Sequence, residues 1–231
     1  MVSYEAALGL SVVAVVLLAG SLSTHDIVMT QASDGFLGIV PRWNAIATGV
    51  VPFVIFVIAG TAELNRPPFD LVEAEQELVG GFHTEYSSIR FALFFLAEFM
   101  NTVTMSAIIV TLFLGGPAGP VFFGPEWIWG PIWFLAKLFI FLFMFVWLRA
   151  TLPRFRYDQL MDLGWKVLIP LSLGWMLLLA SLHIADDQDW NPFVVGAVGV
   201  ASALVAYLML TGAMRTAQQR RAADELEGSV R

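Results

Sequence analysis

Long apolar segments dominate this chain and constrain its fold more than any other feature. A helix needs roughly 20 apolar residues to cross the hydrocarbon core of a bilayer. The segments must be helical, because lipid offers the backbone no hydrogen-bond partners and the alternation of a barrel strand is missing from their sequence. We therefore predict an all-α integral membrane protein, a polytopic helix bundle of about six transmembrane helices, with spans near residues 6–22, 45–62, 91–114, 132–148, 167–183 and 192–214.

Composition supports this class. The 231-residue chain is 58% hydrophobic and only 13% charged, which is too apolar for a soluble domain. We expect one transmembrane domain, residues 1–214, followed by a polar tail, residues 215–231. The net charge of −7 gives no reason to expect a nucleic-acid partner. The chain contains no cysteine, which excludes disulfides and cysteine-ligated iron–sulfur clusters within it.

Lysine and arginine are distributed unequally between the two faces that six spans would create. One face receives both chain ends, the loop 63–90 and the loop 149–166, whereas the other face carries only Arg42. Basic residues accumulate on the cytoplasmic side of membrane proteins. We therefore expect the loop 63–90 and both termini in the cytoplasm, on the face that holds Arg66, Arg90, Arg149, Arg154, Arg156, Lys166, Arg215, Arg220, Arg221 and Arg231.

The loop 63–90 is acidic, and its apolar residues suggest that it packs rather than extending into solvent. Like charges in a partly buried cluster cannot all ionise freely, so some of them should exchange protons near neutral pH. A solvated helix face is the simpler alternative. Arg66 and Asp70 are four residues apart and would pair if that turn were helical, although Pro67 and Pro68 oppose a helix. The carboxylates of the loop are Glu63, Asp70, Glu73, Glu75, Glu77 and Glu85.

Two charged residues fall inside predicted spans. Glu98 lies about two turns inside the third span, where an ionised carboxylate costs several kcal/mol unless it is paired, so we expect a paired or functional role. A neutral, hydrogen-bonded glutamate is the alternative. Lys137 lies inside the fourth span, and a snorkelling side chain is its simpler interpretation. A Glu98–Lys137 ion pair is a further possibility.

Four segments of the chain resemble a known family. They are SYE (3–5), AELNRPPFDLVEAEQELVGGFHTEY (62–86), FFLAEF (94–99) and LPRFRYDQLMDLGWK (152–166). They resemble the H subunit of the proton-translocating NADH–quinone oxidoreductase, the subunit 1 family of respiratory complex I. Family members carry three further spans before the SYE motif. The resemblance thus implies that the N-terminal three spans are missing here, through truncation, fragmentation or a wrong start.

The resemblance assigns roles to individual residues. The loop that shapes the quinone chamber and couples to quinone chemistry would contain Glu63, Arg66, Asp70, Glu73, Glu75 and Glu77. The proton path leading from that chamber into the membrane would contain Glu5, Glu85 and Glu98. The loop that faces partner subunits would contain Arg154, Arg156 and Asp158.

The same resemblance implies an enzyme subunit that is inactive alone. It would help form the quinone-reduction chamber and couple quinone reduction to proton translocation through a chain of carboxylates. The substrate would be a quinone, either ubiquinone or menaquinone, and the chain itself would hold no metal or flavin. The partners would be the lipid bilayer and other membrane and peripheral subunits, including an iron–sulfur subunit, in the inner (plasma) membrane of a bacterium.

Two alternatives stay open at this point. The homologous membrane subunit of a membrane-bound hydrogenase-type complex would share the carboxylate chain and need no quinone. A secondary ion transporter would require an internal repeat and a site formed by broken helices. The sequence shows no repeat, so the transporter is the weaker alternative.

Overall fold

The structure, a computed structural model, describes residues 2–33, 42–70, 85–121, 126–188 and 194–201. Within these ranges the regular structure is entirely helical, which confirms the predicted all-α class. The helices are α1 (Val2–Ala19), α2 (Thr24–Ser33), α3 (Asn44–Ala47), α4 (Val51–Glu63), α5 (Ile89–Phe113), α6 (Glu126–Thr151), α7 (Tyr157–Leu163), a π-helical segment (Gly164–Leu168), α8 (Ile169–Asp187) and α9 (194–201).

Among the described residues, three helical stretches are long and apolar enough to cross a membrane: Ile89–Phe113, Trp127–Thr151 and Tyr157–Ala185. A fourth span results if α1 and α2, which meet at a bend of 59°, are counted together. The predicted number of six spans is not confirmed and stays a prediction. The predicted sixth span, 192–214, falls mostly outside the described residues, as does the polar tail 215–231.

The predicted second span, 45–62, is interrupted. Helix α3 ends at Ala47 and α4 begins at Val51, and its 13 residues reach only about 20 Å. Gly49 and Val50 between the two helices have φ values of +88° and +63°. Trp175 occupies the space beside Gly49, where an added Cβ would lie 2.5 Å from its ring. The break therefore depends on a glycine with the indole of Trp175 packed against it.

Aromatic side chains form the centre of the unit that comprises residues 1–176. The ring of Phe113 lies 5.2 Å from that of Phe56 and 5.5 Å from that of Phe53. Phe53 also contacts Phe141 of α6 at 6.3 Å, so α4, α5 and α6 meet at these rings. In lipid, such contacts stabilise mainly through close packing rather than through the release of water.

The phenylalanine-rich helix α6 has two kinds of face. Phe141 and Phe145 are buried, whereas Phe139 and Phe143 are exposed. The four-residue separation within each pair is the helical period, so one stripe packs inside and the other faces outward. This helix therefore supplies both a packing surface and an outward-facing, apolar surface.

The second unit comprises residues 177–231, of which residues 177–188 and 194–201 are described. Within it the C-terminal part of α8 packs against α9. A Cβ atom added to Gly196 would lie 3.4 Å from Cδ2 of Leu182, which is close to ordinary van der Waals contact. A small residue at this position therefore lets the two helical segments approach closely.

Candidate functional site

Glu98 forms an ion pair with Arg66. Nη2 of Arg66 lies 3.3 Å from Oε1 of Glu98, and the arginine side chain is only 10% exposed. The guanidinium carbon of Arg66 also lies 5.0 Å from the centroid of the Phe99 ring. Consecutive residues of α5 therefore supply a carboxylate and an aromatic face to one guanidinium, which suits the planar, weakly hydrated arginine head group.

The structure differs from two of the ion pairs considered from the sequence. A pair between Glu98 and Lys137 is wrong, because Glu98 is bound to Arg66, and Lys137 contacts the opposite end of α5. The condition for an i,i+4 pair between Arg66 and Asp70 is not met, because residues 64–70 form turns rather than a helix. In these turns the N–H of Arg66 donates to the carbonyl of Thr61, at 3.3 Å.

Residues Arg66–Asp70, termed the connector below, join Glu98 to a second loop. The carboxylate of Asp70 is fully buried and lies 4.0 Å from Nη2 of Arg154, which is 40% exposed. A buried carboxylate is costly without a positive partner or hydrogen bonds. The connector thus carries an ion pair at each end, one to the carboxylate inside α5 and one to the loop that was predicted to face partner subunits.

The connector also touches that loop through its middle residues. The backbone N–H of Phe155 donates a 2.8 Å hydrogen bond to the carbonyl of Pro68. The rings of Phe69 and Phe155 lie 5.5 Å apart at an angle of 35°. Phe69 is itself buried in a cluster with Tyr4 and Ala62. The structure therefore brings together three of the sequence motifs: SYE, the start of the acidic loop, and LPRFRYDQLMDLGWK.

Glu5 follows Tyr4 in the first turn of α1, and Glu63 is the last residue of α4. Tyr4 is buried, whereas both carboxylates are exposed. The start of α1 is held by a close approach to the π-helical segment, since a Cβ atom on Gly164 would lie 3.0 Å from Oγ of Ser3. Tyr4, next to Glu5, packs in one cluster with Ala62, next to Glu63, so the helix that carries the predicted proton-path residue contacts the helix that ends at the predicted chamber loop.

The remaining predicted residues are less constrained. Glu85 is exposed just before α5. Arg156 and Asp158 form a 3.3 Å ion pair with both side chains largely exposed. The N–H of Arg156 also donates to the side chain of Gln159, at 3.1 Å, which caps the start of α7. Glu73, Glu75 and Glu77 lie outside the described residues.

A second polar cluster, which the sequence did not reveal, lies at the C-terminal end of α5. Nζ of Lys137 donates to the carbonyls of Leu114, Gly116 and Ala118 at 2.7, 3.0 and 2.7 Å. Lys137 is buried, so snorkelling does not describe it. A cation suits the carbonyl end of a helix, where unpaired oxygens carry partial negative charge.

Gln31 and Asn44 complete this cap. The side-chain amides of both donate to the carbonyl of Leu112, at 3.2 and 3.0 Å, and Oε1 of Gln31 accepts from the N–H of Asn44. The only signals in the sequence were the charge of Lys137 inside one apolar span and the helix-ending pair Gly115–Gly116 after the preceding span. Neither feature predicts that the partners of Lys137 are backbone carbonyls.

Comparison with known proteins identifies the relatives of this chain. Residues 1–180 match the family model described as NADH dehydrogenase. A protein of Frankia alni, named as the H subunit of NADH-quinone oxidoreductase, is 49% identical over 98% of this chain and 49% of its own length. Proteins of the same name from Rhodospirillum centenum and Cutibacterium acnes are 50% and 46% identical, over 83% and 92% of this chain and 54% and 51% of their own lengths.

The chain spans about half the length of the curated relatives it matches. The match nevertheless extends over almost all of this sequence, including the SYE motif, the connector and the segment around Phe155. On this basis the chain belongs to the NADH dehydrogenase family, whose matched curated members are named as the H subunit of NADH-quinone oxidoreductase.

Proposed function

We propose that this chain forms part of the membrane subunit of an NADH–quinone oxidoreductase, in which it helps form the quinone-reduction chamber and couples quinone reduction to proton translocation. The substrate would be ubiquinone or menaquinone. The names of the matched relatives support this proposal over a hydrogenase-type complex. The activity would require the other subunits of the complex, because the chain has no cysteine to hold an iron–sulfur cluster as electron donor.

The observation that carries the proposal is the Arg66–Glu98 ion pair. It links the start of the predicted chamber loop to a carboxylate on a membrane-spanning helix, at 3.3 Å. Reduction of a quinone to a quinol takes up two electrons and two protons, so negative charge arises at the head group before protons arrive. Such a charge near the chamber loop would attract the guanidinium of Arg66 and weaken its hold on Glu98.

A weakened pair has a direct chemical consequence. A carboxylate on a membrane-spanning helix that loses its counter-ion favours the neutral form, because the charged form is poorly solvated there. In the proposed proton path Glu98 would be the group whose counter-ion, Arg66, responds to the charge on the quinone. Glu5 and Glu63 would form a further part of the carboxylate chain, since Tyr4 beside Glu5 packs with Ala62 beside Glu63.

The transporter alternative needs broken helices that leave backbone groups available to an ion. The break between α3 and α4 offers one such place. There, however, Nε1 of Trp175 donates to the carbonyl of Thr48 at 2.7 Å, and the hydroxyl of Thr48 donates to the carbonyl of Asn44. These groups are satisfied within the chain, and this supports the coupling function over ion binding at the break.

The test compares two carboxylates in membranes that contain the assembled complex. Glu98→Gln keeps the shape of the side chain and removes its charge, so quinone reduction and proton pumping should both fall by about 100-fold or more, the lower range for losing an acid–base group. Asp26→Asn is the control, because Asp26 is exposed, accepts a hydrogen bond from Ser21 and lies outside the proposed path.

Assembly is checked for both variants by the amount of intact complex on a native gel. Turnover per intact complex is then compared. Equal losses in Glu98→Gln and Asp26→Asn, or no loss in Glu98→Gln, would contradict the proposed function.

A further inference from the structure

We propose that Phe155 is a positioning residue that seats the connector, Arg66–Asp70, so that Arg66 reaches Glu98. The inference rests on the proposed function, because Glu98 is the group whose chemistry it would control. It concerns a residue outside the chamber loop and outside the carboxylate chain. Phe155 contacts Pro68 and Phe69 and would act through the connector.

Phe155 holds the connector by two separate contacts. Its backbone N–H donates to the carbonyl of Pro68 at 2.8 Å, and its ring lies 5.5 Å from that of Phe69. Neither Pro67 nor Pro68 has a backbone N–H to donate. The prolines can therefore form backbone hydrogen bonds only through their carbonyls, and the carbonyl of Pro68 accepts one from Phe155.

The connector is short and stiff, so its two ends move together. The rings of Pro67 and Pro68 restrict φ to a narrow range near −65°, and the N–H of Phe69 donates to the carbonyl of Arg66 at 2.9 Å. A displacement of Phe69 would therefore also displace Arg66. The displacement of Arg66 would alter its 3.3 Å distance to Glu98 and its contact with the ring of Phe99.

The position of the loop 152–156 thereby governs the counter-ion of Glu98. Asp70 at the other end of the connector strengthens the same link through its 4.0 Å approach to Arg154. A partner subunit that binds this loop would act on the connector through Phe155 and Arg154 together. The arrangement gives a peripheral partner a mechanical route to a charge inside a membrane-spanning helix.

Phe155 is a better subject for mutation than Phe69. Phe69 is buried among Tyr4, Ala59 and Ala62, so its truncation would leave a cavity and endanger folding. Phe155 lies on a surface loop and is 40% exposed. Phe155→Leu removes the ring contact, retains an apolar side chain and leaves the backbone N–H in place.

The first measurement is turnover of the assembled complex. Phe155→Leu should lower quinone reduction about threefold to tenfold, the factor expected for an aromatic pair, and Phe155→Tyr, which keeps the ring, should restore it. Tyr157→Leu is the control, because it removes an exposed ring from the same part of the chain. In a Glu98→Gln background, Phe155→Leu should cause no further loss. If the loss of turnover in the double variant equals the product of the losses in the two single variants, the proposal is overturned.

The second measurement does not depend on turnover. An apolar carbodiimide reacts with protonated carboxylic acids, so its labelling of Glu98, followed by mass spectrometry, reports how firmly Arg66 holds the carboxylate. Phe155→Leu should raise the labelling rate at least about threefold, in the direction of Arg66→Ala, while Phe155→Tyr and Tyr157→Leu leave it unchanged. A wild-type labelling rate in Phe155→Leu would overturn the inference. Normal turnover in Glu98→Gln would instead contradict the proposed function, and the labelling would still decide the role of Phe155.

Discussion

Nζ of Lys137 in the middle of α6 donates a 2.7 Å hydrogen bond to the carbonyl of Leu114, the residue that follows α5. With two further carbonyls, those of Gly116 and Ala118, it uses all three protons of the ammonium group. A lysine inside a membrane-spanning helix is thereby accounted for by helix capping, without a carboxylate partner.

The first prediction concerns this cap. Lys137→Met keeps the length of the side chain and removes its three donors, so it should lower stability by about 1–3 kcal/mol for each buried carbonyl left without a partner. Thermal unfolding of the complex in detergent measures the effect. Lys166→Met is the control, since its 2.7 Å pair with Asp162 is exposed and contributes at most about 0.5 kcal/mol. Equal losses in the two variants would contradict the capping role.

The second prediction separates charge from shape at Arg66. Arg66→Lys keeps the positive charge but loses the planar group that meets both Glu98 and Phe99, so turnover should be intermediate between the wild type and Arg66→Ala. Quinone reduction per assembled complex is the measurement. Arg42→Ala should be close to silent when measured in the same way, because Arg42 is exposed and lies outside the proposed chamber loop and carboxylate chain. Wild-type turnover in Arg66→Ala would refute the role of the pair.

The third prediction tests the helix break. Gly49→Ala would place a Cβ atom 2.5 Å from the ring of Trp175 and force a side chain into a φ of +88°, so it should destabilise the protein by more than about 1 kcal/mol. Gly174→Ala, next to Trp175 in α8, meets no atom within 4 Å and should be neutral or slightly stabilising. Melting temperatures of the two variants give the comparison. A stable Gly49→Ala variant would mean that the break does not need glycine.

The fourth prediction concerns sidedness, which rests on the positive-inside rule. The chain has no cysteine of its own, so single cysteines can be introduced and labelled with an impermeant maleimide. Asp158→Cys should be labelled from the cytoplasmic side and His25→Cys from the opposite side, since both positions are exposed. Labelling of Asp158→Cys from outside intact cells would reverse the predicted topology.

The sequence indicated much of the fold class and the type of residue in the candidate site. Hydropathy predicted the apolar helices that the described residues form, although not the number of spans, and the cost of charge in lipid identified Glu98 as a residue that needs a partner. The partner itself could not be predicted, because Arg66 and Glu98 are distant in sequence and nothing local to either residue indicates the other. The role of Lys137 was missed for a related reason: its partners are backbone carbonyls, which carry no side-chain signature.

The break at Thr48–Val50 was missed for a different reason. Hydropathy reports the polarity of side chains and is insensitive to backbone dihedral angles, so it predicted one continuous span over 45–62. Pro52 was the one local hint, and it lies within the first turn of α4, where its missing N–H is tolerated. The packing of Trp175 against Gly49 decides the geometry, and that contact joins residues far apart in the chain.

The π-helical segment Gly164–Leu168 has a consequence for the phase of the helix that contains it. One wide turn adds one residue, so side chains after it are rotated by about 100° relative to an uninterrupted α-helix. Leu163 before the turn and Leu168 within it both pack on the cluster formed by Ala7 and Ile55. Deletion of a single residue here would therefore disrupt the contacts of several side chains. It would turn residues 169–176 away from their present neighbours, so the length of this segment matters as much as its composition.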